Sequence, residues 1–505
     1  MPWGNPPTRP PIRVSEVRIL ASRQEPGGRR TFTTLLGAAL ALIVAAWLGA
    51  LAVWARPAAP EVSALGLSLA TACLALAGLL AAAWGLSRSR GRFEWWHLLW
   101  LFVFLSGLVF RIRGSEASVD NPLDLWALYR LGLMGAVGLI LLMRLGAKRT
   151  AWAKSLFQGL IGLLAWYAVV SVVSSLWSVF AGWTLYKSVE YLVDVMLIAA
   201  IVASVGTAQK FKTLFDWNWV LAGLLLLTVY AWALIRPDLA VIHGIGLTGV
   251  QITGVLPAVS ADGVGGIGGI LAIVAFTRLL FSTSHRRLWL YVLLLVVAIV
   301  TLILAQSRGA ISGFLIAVAV VLLTTRRIGF LALCALAVPA VLGLTGLGSV
   351  FTEFFLRGQN PEMFASLSGR VNWWEVGWDL FKQQPVLGYG AYAGSRFAVL
   401  AAIGATTVSS IHNTWLEVLL GTGIMGALPV LAALLGTWIV LLPNRPRGPL
   451  DPAGHGLRAE ALGILASISA NSIFSPELVW HPPLTFLLIL GYAERLRRGL
   501  AVADR

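Results

Sequence analysis

RRLWLYVLLLVVAIVTLILAQSRGAISGFLIAVAVVLLTTRR, residues 286–327, decides the fold. Two apolar runs, 288–306 and 310–325, are joined by Ser-Arg-Gly-Ala and bounded at both outer ends by paired arginines. A helix needs roughly 20 apolar residues to cross the hydrocarbon of a bilayer, and a backbone in lipid must satisfy its own N–H and C=O groups. The stretch therefore reads as a membrane hairpin. Lys and Arg favour the cytoplasmic side, so Arg286, Arg287, Arg326 and Arg327 belong inside and Arg308 is left in the tight turn on the outer face.

Outward from this hairpin, the same pattern repeats along the chain. Expected spans run over 33–54, 62–85, 95–110, 125–145, 156–180, 184–205, 217–235, 264–281, 288–306, 310–325, 328–347, 412–442, 457–473 and 484–496. Several are short or merged, so the count is 12 to 14. The composition agrees: 58% of residues are hydrophobic and 12% charged, against about 25% charged in soluble domains. A net charge of +16 suggests nucleic-acid binding in other contexts. Here the basic residues punctuate apolar runs instead of forming one patch, and no nucleic-acid partner is expected.

With the N-terminus inside, the alternate connections that become cytoplasmic hold Arg88, Arg90, Arg92, Lys148, Arg149, Lys154, Lys210, Lys212, Arg445, Arg447 and Arg458. A miscounted helix would invert every later assignment, yet the alternation survives to the C-terminus. The expected organisation is a basic cytoplasmic tail (1–32), eleven transmembrane helices (33–347), one long outward loop (348–411), three further helices (412–498) and a cytoplasmic tail (499–505). The first 32 residues resemble the start of a signal peptide, but the apolar run after them is too long for a removable one, so a retained anchor is expected. Cys73 and Cys334 each lie in an apolar run and read as packing residues.

Polar residues gather on the outer face. In the long loop, RVNWWEVGWDLFKQQ (370–384) sets Val371, Trp374, Trp378 and Phe381 on one side of a helix. Either an interfacial helix or one packed on the bundle fits that pattern. Pro385 ends it, and Gly388 and Gly390 permit a tight turn. Lys187, Glu190 and Asp194 fall on one helical stripe; ionisable groups inside a span mark function, the plain alternative being a Lys187–Glu190 ion pair. His412 stands where the long loop re-enters the membrane, with Glu417 about one and a half turns on. Of the other histidines, His97, His285 and His455 read as interfacial, and His243 and His481 face outward. GVGGIG, with Gly263, Gly265 and Gly268, satisfies GxGxxG, but it opens a span and follows no strand. Gly265 and Gly269 also form GxxxG, so close helix packing is the expectation.

Two cations and an imidazole on one surface suit a substrate that is anionic at the interface and greasy below it, such as a sugar linked to a polyprenyl pyrophosphate. Charge builds on the diphosphate as the glycosyl bond breaks, and fixed Arg and Lys side chains stabilise that charge. No outward DxD or paired-carboxylate cluster accompanies His412, so metal-free catalysis is expected. A secondary transporter or flippase of a lipid-linked glycan is the alternative from another class; it predicts inverted repeats and midplane ionisable groups. No repeat is visible, although Arg130 and Asp194 lie deeper than the rest.

Three stretches carry a family resemblance: SRGA at Arg308, GRVNWWEVGWDLFKQQPVLGYG (369–390) and HNTWLEVLLGTGIMGAL (412–428). They resemble the bacterial O-antigen ligase superfamily, which includes protein O-oligosaccharyltransferases and O-antigen polymerases. The resemblance implies an all-α polytopic enzyme of the GT-C type, with one long periplasmic loop and an amphipathic helix. It implies inverting transfer at the periplasmic face of the inner membrane, without cofactor, nucleotide sugar or metal. Donor and acceptor would be undecaprenyl-pyrophosphate-linked O-antigen and lipid A-core, with both termini cytoplasmic. His412 would be the catalytic base and Arg308, Lys187 and Arg370 the pyrophosphate ligands; many relatives have Arg in place of Lys187. Asn413, Glu417 and Glu190 would be supporting residues, as would Glu477 and His481 in the last outward loop. Related polymerases usually carry two substantial periplasmic loops, whereas residues 236–262 make only a moderate second one.

Overall fold

The computed structural model describes residues 94–109, 125–147, 154–244, 248–282, 284–345, 347–400, 402–404, 410–442 and 452–499. The basic tail 1–32, the first two expected spans, Cys73 and residues 500–505 lie outside the described residues. The chain is helical throughout the described part, apart from one small hairpin. Helices α1 (Trp95–Gly107), α2 (Leu125–Ala147), α3 (Gly159–Val173), α4 (Ala181–Ser204) and α5 (Ala208–Ile235) come first. A short α6 (Pro237–Ala240) leads into the antiparallel pair β1 (Val241–His243) and β2 (Val250–Ile252). Then follow α7 (Ala261–Phe281), α8 (His285–Ala305), α9 (Arg308–Thr324) and α10 (Ile328–Leu344). The long loop contains α11 (Leu347–Leu356), α12 (Pro361–Ala365), α13 (Arg370–Gln383) and a π-helical turn, Gly394–Leu400. The chain closes with α14 (Thr414–Leu441), α15 (Pro452–Asn471) and α16 (Leu484–Arg497).

Each expected span from the third onward falls on one of these helices. By length and composition α2, α3, α5, α7, α8 and α14 are able to cross a bilayer unaided, while α1, α9 and the start of α10 are apolar but shorter. Helix α16 is short, at 14 residues, and α4 and α15 carry ionisable side chains; in all three the carboxylates Glu190, Glu460 and Glu494 are buried. An interior helix in a membrane protein tolerates charge where protein, not lipid, surrounds it.

Local chemistry sets the helix ends. Ser260 Oγ accepts from Gly263 N–H at the start of α7, and Thr207 does the same for Lys210 at the start of α5, the usual role of a hydroxyl at an N-cap. The 286–327 hairpin is α8 and α9, joined through Gln306 in a left-handed conformation (φ 49°). Gln306 Nε2 donates to Thr248 Oγ1 and to Val250 O, and Gln251 Nε2 donates to Ala305 O. The β-hairpin thus seals the end of α8 beside Arg308. Gly265, Gly268 and Gly269 line the contact of α7 with α8 and α9: a Cβ at Gly265 would come within 2.5 Å of Ser307 Cβ, and one at Gly268 within 2.9 Å of Thr301. The glycines pack helices, as expected.

Candidate active site

The C-terminal end of α3, the N-terminal end of α4 and the first half of α14 meet the loop that follows α13. Helix α14 is broken at Gly423, where φ is 60° and ψ −159°, so the backbone groups flanking the break need partners from elsewhere. The loop supplies them. Tyr389 and Gly390 N–H donate to Leu420 O (2.7 Å) and Gly421 O (2.9 Å), and Ile424 N–H donates to Pro385 O at 2.9 Å. A Cβ at Gly388 would lie 2.6 Å from Leu420 O, and one at Gly423 would overlap the Val386 carbonyl. The loop also holds the α3–α4 turn: Val179 N–H donates to Tyr389 O, and Thr184 Oγ1 to Ala391 O. Gly388 and Gly390 do form a tight turn with positive φ, and its purpose is close approach to a split helix.

Helix α13 packs on the first half of α14. Phe381 is buried in a cluster with Val399, Leu400, Ile411, Leu416 and Leu420, while Trp378 remains half exposed. Packing on the bundle therefore holds one side of α13, and Trp378 and the charged residues Glu375, Asp379 and Lys382 point outward. Trp374 Nε1 donates to Ile411 O at 2.9 Å, fixing the residue that precedes His412.

His412 sits in the connection entering α14, in a left-handed conformation (φ 53°) that is uncommon for a residue with a Cβ. Three neighbours define that conformation. Its N–H donates to Ser410 Oγ, Asn413 Oδ1 accepts from Trp415 and Leu416 N–H as the cap of α14, and buried Glu417 accepts from Ile411 N–H at 3.1 Å. Glu417 also receives Ser395 Oγ–H. Asn413 and Glu417 thus hold the backbone on either side of His412. Burial, then the nearby positive charge of Arg370, pushes the imidazole pKa down to about 4, with Asp262 opposing. The ring is neutral at ordinary pH and able to accept a proton.

Arg370, the first residue of α13, donates through Nη1 to Phe474 O and lies 3.8 Å from Asp262 through Nη2. Arg308 is within electrostatic reach of Arg357, Asp262 and Arg370. Its Nη2 donates to Gln359 Oε1 at 2.5 Å, and its guanidinium carbon sits 4.9 Å from the centre of the Phe364 ring. The structure therefore brings Arg308, Arg370 and His412 to one end of the bundle. Arg357 joins them.

Lys187 and Glu190 occupy a second, buried cluster. Lys187 Nζ is 2.8 Å from Glu190, which also pairs with Arg130 at 3.2 Å, and Lys187 lies over the Tyr186 ring. One turn on, Asp194 binds His481 Nδ1 at 2.7 Å, and His481 Nε2 lies 2.9 Å from Ser106 Oγ. The expected stripe is present, and Lys187 has the ion-pair partner of the plain alternative. His481 and the exposed Glu477 line a cavity of about 290 Å³ between α7, α15 and the approach to α16. Among the described residues no group of three or more His, Cys, Asp or Glu side chains is placed to share a metal ion.

Residues 293–431 match the family model for O-antigen ligase. This stretch is an O-antigen ligase domain. A domain of this kind indicates a membrane glycosyltransferase of the O-antigen ligase and polymerase group. No curated protein matches the chain significantly. The O-antigen ligase domain begins within α8 and ends within α14, so it contains Arg308, Arg370, His412, Asn413 and Glu417. Lys187, Glu190, Glu477 and His481 lie outside it. Arg357 and Gln359 belong to the same domain, yet nothing in their sequence context distinguishes them. Asp262 had one signal, an acid in the first turn of α7, and only the fold places it opposite Arg370.

Proposed function

We propose that the protein is an inverting, metal-independent O-antigen ligase that transfers polysaccharide from undecaprenyl pyrophosphate to lipid A-core at the periplasmic face of the inner membrane. The observation that carries this reading is the convergence of Arg308, Arg357 and Arg370 beside a neutral His412 inside the O-antigen ligase domain. Guanidinium groups match phosphate oxygens in geometry and keep their charge at every working pH. Such an array favours the transition state, in which the departing diphosphate carries more charge than in the bound donor.

In the proposed reaction the acceptor hydroxyl oxygen attacks the anomeric carbon from the face opposite the diphosphate. The new C–O bond forms as the bond to the phosphate oxygen breaks, and that electron pair leaves with the diphosphate. His412 takes the hydroxyl proton. Arg308 and Arg370 hold the leaving group, with Lys187 as a further ligand if donor binding draws it away from Glu190. Asn413 and Glu417 keep the His412 backbone in place.

Reconstituted protein with one polyprenyl-linked donor, offered lipid A-core and a model pilin together, tests the reading. Glycosylated lipid A-core that persists in excess EDTA is the expected product. Transfer to pilin alone would identify a protein O-oligosaccharyltransferase, extension of the donor glycan a polymerase, and donor translocation without a new glycosidic bond a transporter; any of these would replace the ligase assignment. His412→Ala is expected to retain donor binding and lose about 10²- to 10⁴-fold in turnover, the usual worth of a general base.

A further inference from the structure

Gln359 links one candidate phosphate ligand, Arg308, to the segment that leads into another, Arg370. Its side-chain oxygen accepts from Arg308 Nη2 at 2.5 Å, and its side-chain nitrogen donates to Ser368 Oγ at 3.1 Å. Ser368 stands two residues before Arg370, so one planar amide ties the start of α9 to the lead-in of α13. That lead-in is a strained turn. Leu367, Ser368 and Gly369 take φ values of 52°, 62° and 85° in succession, a conformation unfavourable for residues with a Cβ. Strain of this kind persists where the surroundings over-determine it, and it concentrates at ligand sites. Bonds within the turn close it, from Leu367 N–H to Phe364 O and from Ser368 N–H to Met363 O. Gln359 adds a tether from outside.

The same segment shapes the Arg308 guanidinium. Phe364 lies beneath it and Gln359 engages one terminal nitrogen, while Arg308 Nε is buried without a partner among the described residues. Two guanidinium groups at a fixed separation are able to grip both phosphoryl groups of a diphosphate, whereas a monophosphate offers only one group to grip. We propose that Gln359 is a positioning residue that sets the spacing between Arg308 and Arg370 and thereby makes the site prefer a diphosphate to a monophosphate headgroup. The inference rests on the reading that these arginines hold the donor diphosphate.

The test measures binding of undecaprenyl pyrophosphate and undecaprenyl phosphate to the purified full-length protein, with thermal stability recorded in parallel. Gln359→Ala is expected to weaken diphosphate binding by about tenfold, the scale of one lost hydrogen bond to a charged group, and to leave monophosphate affinity within about twofold. Gln359→Glu discriminates further. Its carboxylate would pair with Arg308 and still accept from Ser368 Oγ–H, keeping the spacing while offsetting the Arg308 charge, so affinity for both headgroups should fall together and the preference between them should persist. Ser368→Ala, which cuts the other end of the tether, should narrow the preference in the same sense as Gln359→Ala and serves if Gln359→Ala fails to fold. Wild-type preference in Ser368→Ala and in folded Gln359→Ala, with diphosphate binding lost in Arg308→Ala, would overturn the role of Gln359 and leave the arginine reading standing. Wild-type diphosphate binding in Arg308→Ala would overturn the arginine reading itself.

Discussion

His412 is neutral because its surroundings make the imidazolium costly, and the donor is able to change those surroundings. In the free protein, burial and Arg370 hold its pKa at about 4. Only the neutral ring accepts a proton, so kcat/KM, which reports the free enzyme, should stay flat from neutral pH down to an acid limb near pH 4 and fall below it. A diphosphate bound beside Arg370 offsets its charge and stabilises the imidazolium. The limb in kcat should therefore lie at higher pH than the limb in kcat/KM. Arg370→Gln should move the kcat/KM limb upward toward the ordinary histidine value of 6.5. Coincident limbs, unmoved by Arg370→Gln, would rule out this coupling. Glu417 acts on the same residue through the backbone. Glu417→Ala leaves buried Ile411 N–H without its acceptor, a loss of about 1–3 kcal/mol, and should lower turnover more than donor affinity. Thermal unfolding and donor binding measured on the same preparation separate the two effects. These contacts explain which roles were visible in the sequence. Asn413 is a supporting residue only through the family resemblance, and the fold makes it the cap of α14, whereas Arg308 stands out because it is charged in a tight apolar hairpin. Gln359 and Arg357 do not stand out, because a glutamine or arginine in a polar loop is ordinary until a fold sets a partner against it.

At the scale of elements, the break in α14 organises the site. The run from 412 to 442 is apolar enough to be one uninterrupted span, and its Gly-Thr-Gly falls inside that run. The structure divides the helix at Gly423 and inserts the 385–391 loop against the break. This arrangement requires close approach and a backbone angle that a Cβ penalises. Gly423→Ala should destabilise the protein by about 2–4 kcal/mol, combining left-handed strain with overlap at the Val386 carbonyl. Unfolding in detergent gives the measurement, and unchanged stability would remove the loop's structural role. Helix α13 shows a related limit of pattern reading. Its apolar spacing fits both a membrane surface and a packed face, because each needs one greasy side. Contact of Phe381 and Gly377 with α14 supplies the packing, and the half-exposed Trp378 shows that the apolar side is wider than the contact.

For the whole molecule, two polar regions share one end of a helical bundle, one formed by Arg308, Arg370 and His412 and the other by Arg130, Lys187, Glu190, Asp194 and His481. The distribution of Lys and Arg predicts that this end faces outward. Cysteine accessibility in intact cells checks it, starting from a variant with Cys73 and Cys334 replaced. Asp379→Cys, exposed on α13, should react with an impermeant maleimide, and Arg287→Cys, exposed at the start of α8, should react only after permeabilisation. The reverse pattern would place the candidate site in the cytoplasm, where the proposed periplasmic acceptor would not reach it.

The sequence by itself determined that the chain is a helical, multi-pass membrane protein, because lipid admits few ways to satisfy a backbone and helical spans leave long apolar runs. It also marked Arg308 and His412, since an isolated charge and an imidazole beside such runs are conspicuous, while Arg370 was implied by the family resemblance. The tertiary structure alone decided which of these groups meet. Lys187 lies close to Glu190 in both the chain and the fold, whereas Arg308, Gln359, Arg370 and Asp262 come together from separate elements. Contacts between distant segments depend on helix packing, and helix packing here depends on glycines and a broken helix whose partners lie far away in the chain.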